Sequence, residues 1–185
     1  MANYNLRGIP DDIDDLVKLN VGSPIGHASP RLSWLQALVC IGALGDPDVN
    51  IHAYALWQRA LQNAKKRGED DIRTYEKIIA KLDEEQEEYR QAYENYDTTH
   101  SALVYRLCNV LYYAVQRYAH DNHLGSFERI CRDACTLANI PPSVAFACAD
   151  AKISDRVSRD IKDIPSEYEE IDHILSKWKK SHKIS

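Results

Sequence analysis

The sequence predicts an all-α fold, a bundle of about six to seven helices preceded by an extended N-terminal arm. Three observations predict it. Apolar residues recur at steps of three and four from residue 29 onward. Capping residues, often with proline next, open these segments, and glycine or proline closes them. With 7 Gly, 7 Pro and no Asn-Gly or Asp-Gly pair, the chain carries few hairpin signals. The expected division is residues 1–28 as an arm or strand-helix segment and residues 29–185 as the bundle.

Ser29-Pro30 opens the first segment, apolar to Leu44 and stopped by Gly45. Asp46-Pro47 opens the second, with Ile51, Tyr54, Ala55, Trp57 and Leu61 on one face, ending at Gly68. From Glu69 to about Asn95 the third places Ile72, Tyr75, Ile79, Leu82, Gln86, Tyr89, Tyr93 and Tyr96 on a heptad-like seam. Only about three heptads are sustained, so the seam is expected to pack on helices of the same chain. Tyrosine also suits an interface, because its hydroxyl needs a partner; Tyr89, Tyr93 and Tyr96 are candidate contact residues. The acidic run Asp83 to Glu88 reads as a solvated helix face.

Thr98 to about His120 is apolar all round, with Leu103, Leu107, Leu111 and Val115 on one side and Tyr105 and Tyr112 on others, which predicts a central buried helix. Ser126 is expected to cap a short helix through about Asn139. Pro141-Pro142-Ser143 restarts the chain towards Ile161. Ser166 and Glu169 form a capping-box pattern for the last helix, whose face carries Tyr168, Ile171, Ile174, Leu175 and Trp178. Trp178, beside a lysine-rich end, is a further candidate contact.

A formal charge of −5 gives no global attraction to nucleic acid, so such contact would need a local patch. The longest apolar stretch, Leu35 to Leu44, is too short for a membrane span, and residues 1–5 carry no secretory signal pattern. Five cysteines, an odd number among apolar neighbours, suit free thiols in a reducing compartment. The expectation is a cytoplasmic chain with no membrane contact.

The arm has its own pattern. Tyr4-Asn5-Leu6-Arg7-Gly8-Ile9-Pro10 alternates, and Asp11 to Leu19 reads as a short acidic helix ahead of the Ser29 helix. Over about residues 3–45 this resembles the Arc-type ribbon-helix-helix repressors. The resemblance implies paired antiparallel strands of two chains, with Asn3, Asn5 and Arg7 reading base edges and Arg31 helping to hold a phosphate. The competing expectation is an arm that packs on the bundle or on a neighbouring subunit and binds no nucleic acid.

His120-Asp121 resembles the His-Asp doublet of the all-helical HD phosphohydrolases. That resemblance implies metal-activated water acting on a phosphoester, with His100 or His52 as the early ligand and Asp150 or Asp155 as the late one. His120, His123, Cys131 and Cys135 are a second soft ligand set, although Cys131 and Cys135 also belong to an ordinary apolar stripe. A helix cap and a solvated turn are the expected role of the doublet, and buried thiols that of the cysteines. No motif compels a cofactor, a metal or catalytic residues, and none is assigned. The sequence therefore favours a non-catalytic helical protein that works by association with a protein partner or with itself. A ribbon-helix-helix-like dimeric DNA-binding regulator is the second expectation and an HD-type metal-dependent phosphohydrolase the third.

Overall fold

The computed structural model describes residues 47–66, 68, 74–121, 123–159 and 164–184. Within them the chain forms six helices and no strand: α1 Pro47–Lys66, α2 Tyr75–Glu94, α3 His100–Asp121, α4 Leu124–Leu137, α5 Pro142–Arg159 and α6 Ile164–Ser181. The all-α bundle is as expected. The Ser29 helix and the residues of the arm, Asn3, Asn5, Arg7 and Arg31 included, lie outside the described residues, as do Ile72 and Cys40.

The helix with apolar residues on every side is the hub. α3 packs against all five other helices, most extensively α2, and α1 lies chiefly on α5. Twelve α3 residues are buried, among them Leu107, Cys108 and Leu111. Round them gather Leu56 and Trp57 of α1, Ile78 and Leu82 of α2, Phe146 and Ile153 of α5, and Ile171 and Leu175 of α6. Each such side chain removed from water stabilises the fold by roughly 1.5–3 kcal/mol. No described helix is long and apolar enough to cross a membrane.

Local chemistry sets the helix ends. Thr99 opens α3 by accepting the Ala102 amide on Oγ1 at 3.1 Å. α4 ends in a left-handed residue, Asn139 at φ 55°, after which the Ile140 amide reaches back to the Cys135 carbonyl at 3.2 Å. Two expected caps differ. α4 starts at Leu124 with His123 as its cap, whose Nδ1 accepts the Ser126 amide, so Ser126 donates where it was expected to accept. α6 starts at Ile164, which places Ser166 inside the first turn, where its hydroxyl donates to Asp155 at 3.4 Å.

The α2 seam is also rotated by about one residue from its expected register. Ile78, Leu82 and Tyr89 are buried, while Gln86 and Tyr93 are exposed and Ile79 is half-buried. Glu85 takes the seam position between Leu82 and Tyr89. A charged residue on an apolar face hid the true register.

Candidate interaction surface

Two regions concentrate polar chemistry, one sealed and one open. The sealed region lies where α2, α3, α5 and α6 meet. Lys152 of α5 is fully buried; its Nζ donates to Asn109 Oδ1 at 2.6 Å and to the Tyr105 carbonyl at 3.2 Å, and sits 3.4 Å from the Tyr105 ring centre. The Tyr105 hydroxyl donates to Glu167 Oε2 at 2.7 Å, and Glu167 is buried too. Tyr168 stacks on the Tyr105 ring at 4.5 Å between centres. Glu85 comes from α2, hydrogen-bonded to Asn109, with a buried Oε2 that has no hydrogen-bond partner among the described residues. Burial raises the Glu85 carboxyl above its ordinary value, against the Asn109 bond and the Lys152 charge.

This network locks four helices together, and none of its residues lines the gap between α2 and α4. Sequence reasoning missed Glu85, Lys152 and Glu167, yet each carried one signal. Lys152 continues the stripe of Ala145, Cys148 and Ala149, Glu167 begins that of Ile171 and Leu175, and Glu85 interrupts that of Ile78 and Leu82.

The open region is a groove. α2 and α4 both lie on α3 but make little contact with each other, and the gap between them encloses about 480 Å³. Val110 of α3 forms the floor. Ile130, Ala134 and Leu137 line the α4 side, and Gln86 and Tyr89 the α2 side. Tyr89 bridges the walls, because its hydroxyl donates to the Ala134 carbonyl at 2.6 Å.

Arg90, Arg117 and Arg129 stand on the rim, with Asp133 the acid in the lining. Two of these guanidiniums are held in place. Arg90 Nε and a terminal nitrogen take Glu87, and its other terminal nitrogen takes Glu94 at 2.6 Å. Arg117 spends Nε on Asp121 at 3.2 Å. Arg129 is exposed and has no acidic partner among the described residues.

Of the expected contact residues, Tyr89 is therefore a buried bridge. Tyr93, 55% exposed, lies one turn further along the same face of α2, and Tyr96 is fully exposed in the link to α3. Trp178 is half-buried against the core and lines a second depression with His100, Leu103 and Pro141.

The residues of the His-Asp doublet have local work. Asp121 Oδ1 accepts the His123 amide at 2.9 Å, while Oδ2 accepts both Arg117 and the Tyr75 hydroxyl. His120 is exposed, its ring 6.0 Å from that of Tyr75. His52 and Asp150 do come together, at 2.9 Å between Nδ1 and Oδ2, across α1 and α5. His100 instead bonds the Ala138 carbonyl at 2.8 Å. Among the described residues no three His, Cys, Asp or Glu side chains converge as a metal site would require. Cys108, Cys131, Cys135 and Cys148 are free thiols, and burial pushes each up, Cys108 and Cys135 to about 12.

No protein-family model matches the chain, and no curated protein or solved structure matches it significantly.

Proposed function

We propose that the chain is a non-catalytic interaction protein, a subunit or adaptor that holds a protein partner in the groove between α2 and α4. The observation that carries this reading is the gap between α2 and α4, lined by half-buried Ile130, Ala134 and Leu137, with exposed Tyr93 one turn beyond Tyr89. Tyrosine and arginine, both present here, are the residue types that dominate binding energy at interfaces. The acid-base groups of the bundle support it indirectly, because Lys152, Glu167 and Glu85 are committed to one another's neighbourhood inside the core and do not line the groove.

The test places a photo-crosslinking residue at Tyr93 in the full chain, with Ser176 on α6 as the control position. Covalent adducts of defined mass from position 93 and none from 176 are expected. Equal yields, or none at either, would remove the reading.

A further inference from the structure

The second depression differs in kind from the gap between α2 and α4, and its chemistry goes beyond the interaction role above. It lies where the start of α3, the link from α4 to α5 and the end of α6 meet, and it encloses about 680 Å³. Leu103 and Ile140 give the lining apolar ground, while His100, Asn139 and Lys179 give it polar groups. Trp178 stands in the same wall, half-buried, its ring 5.9 Å from that of His182. A lining so divided suits a small ligand that is itself part flat ring and part polar group.

The segments that line this depression carry charge of one sign. Residues 173–185 hold Lys177, Lys179, Lys180 and Lys183 and no acid, although the whole chain carries −5. The other two lining stretches, residues 98–105 and 134–149, contain no aspartate or glutamate. Asp172, the next acid along α6, accepts the Ser101 hydroxyl. Among the described residues none of the four lysine side chains has an ion pair or a hydrogen-bond partner.

Cations at a helix end are ordinary. Here they border a cavity with a tryptophan in its wall. The end of α6 also offers an anion little repulsion, because its last carbonyls are occupied. Trp178 O accepts the His182 amide at 3.1 Å, and Lys179 O accepts the Ile184 amide at 2.8 Å. His100 is fixed at the opposite wall, since its Nε2 donates to the Ala138 carbonyl at 2.8 Å. An ammonium meets a phosphate as a point charge, and an indole face is a platform for a nucleobase.

We propose that this depression binds a mononucleotide, its base on Trp178 and its phosphate on Lys179.

The probes are adenosine diphosphate, adenosine and inorganic phosphate, each titrated into the full chain by calorimetry, with saturation-transfer NMR on the nucleotide. Adenosine diphosphate should bind about tenfold more tightly than adenosine or phosphate, with the strongest saturation on its base protons, and should weaken as salt rises. Lys179→Glu should weaken that binding about tenfold with the melting curve as in the parent. Exposed Lys177→Glu, on the far side of the helix from Lys179, should change it less than about threefold. Trp178→Leu should weaken it about threefold or more; if that variant melts early, the saturation pattern reads the base contact in the parent chain.

No heat and no saturation transfer with adenosine diphosphate at millimolar concentration would overturn the proposal, as would indifference to Lys179→Glu. Phosphate that binds as tightly as the nucleotide would reduce the depression to an anion site and overturn the base contact. A single-stranded oligonucleotide that binds more than about tenfold more tightly than the nucleotide would make a nucleic-acid strand the occupant and overturn it as well. None of these outcomes bears on the crosslink from position 93, so the two readings fail separately.

Discussion

Replacing Lys152 by Met keeps the length and apolar stem of the side chain and removes only the ammonium. With it go the 2.6 Å bond to Asn109 Oδ1, the 3.2 Å bond to the Tyr105 carbonyl, and the position over the Tyr105 ring. Hydrogen bonds from a charged donor contribute about 1.5–3 kcal/mol each, and a desolvated cation over a ring about 2 kcal/mol. Against this stands the desolvation cost of the ammonium, several kcal/mol, which the Met variant no longer bears. Its removal also leaves Asn109 Oδ1 without its buried donor and Glu85 without the cation that moderates its charge. The balance is a loss of about 3 kcal/mol, since stripping one member from a buried charged network costs more than never having built it. For a chain of this length that lowers the midpoint by about 6–12 °C. Urea unfolding followed by circular dichroism measures the change, with exposed Lys177→Met as control, expected within about 0.5 kcal/mol of the parent. Equal or greater stability in Lys152→Met would show that desolvation outweighs the contacts and that the network does not hold the bundle.

Four further outcomes follow from the same geometry. Burial raises the Glu85 carboxyl in the folded chain, so its contribution to stability is fully present below the ordinary value of 4.5 and is lost as pH rises through the raised value; Glu85→Gln should gain on the parent across that window, and parallel stability curves against pH would contradict this. His123→Ala removes the α4 cap and should cost about 1 kcal/mol in chemical denaturation, whereas exposed His173→Ala should cost almost nothing; equal costs would refute the assignment. Tyr89→Phe deletes the bridge to the Ala134 carbonyl and should cost about 1 kcal/mol, with Tyr93→Phe silent in the same assay. Cys108, Cys131, Cys135 and Cys148 should resist alkylation in the folded chain and react in denaturant, mapped by mass spectrometry; labelling of any of the four at native-state rates would contradict their burial.

The helices themselves were legible because hydrophobic period and punctuation agree in this chain. α3 was readable as central, since a helix apolar on every side has nowhere else to go. The α4 and α5 boundary was readable from Asn139-Ile140-Pro141-Pro142, where a left-handed residue and two prolines stop one helix and start the next. The register of α2 was not, because the period alone favours Gln86 over Glu85, and only the Asn109 and Lys152 side chains facing it make a glutamate tolerable there. Lys152 and Glu167 were hidden for the same reason: a charge on an apolar stripe signals a partner across the core, and the partner belongs to another helix. Of the contact residues, Tyr93 and Tyr96 are as exposed as an interface requires, but Tyr89 is spent inside. The groove was beyond the sequence altogether, because it is a property of how far apart α3 holds α2 and α4. The resemblance of residues 3–45 to ribbon-helix-helix repressors concerns a part of the chain outside the described residues. A shift assay on DNA with Arg7→Ala as control addresses it separately.

The central claim is that the gap between α2 and α4 is where this protein is held by another. Its most direct test is the crosslink from position 93 repeated in a chain carrying Gln86→Trp, an exposed position on the wall of the gap where an indole occupies the opening. Loss of the adduct with an unchanged melting curve is the predicted result. An adduct of undiminished yield from the plugged groove would contradict it.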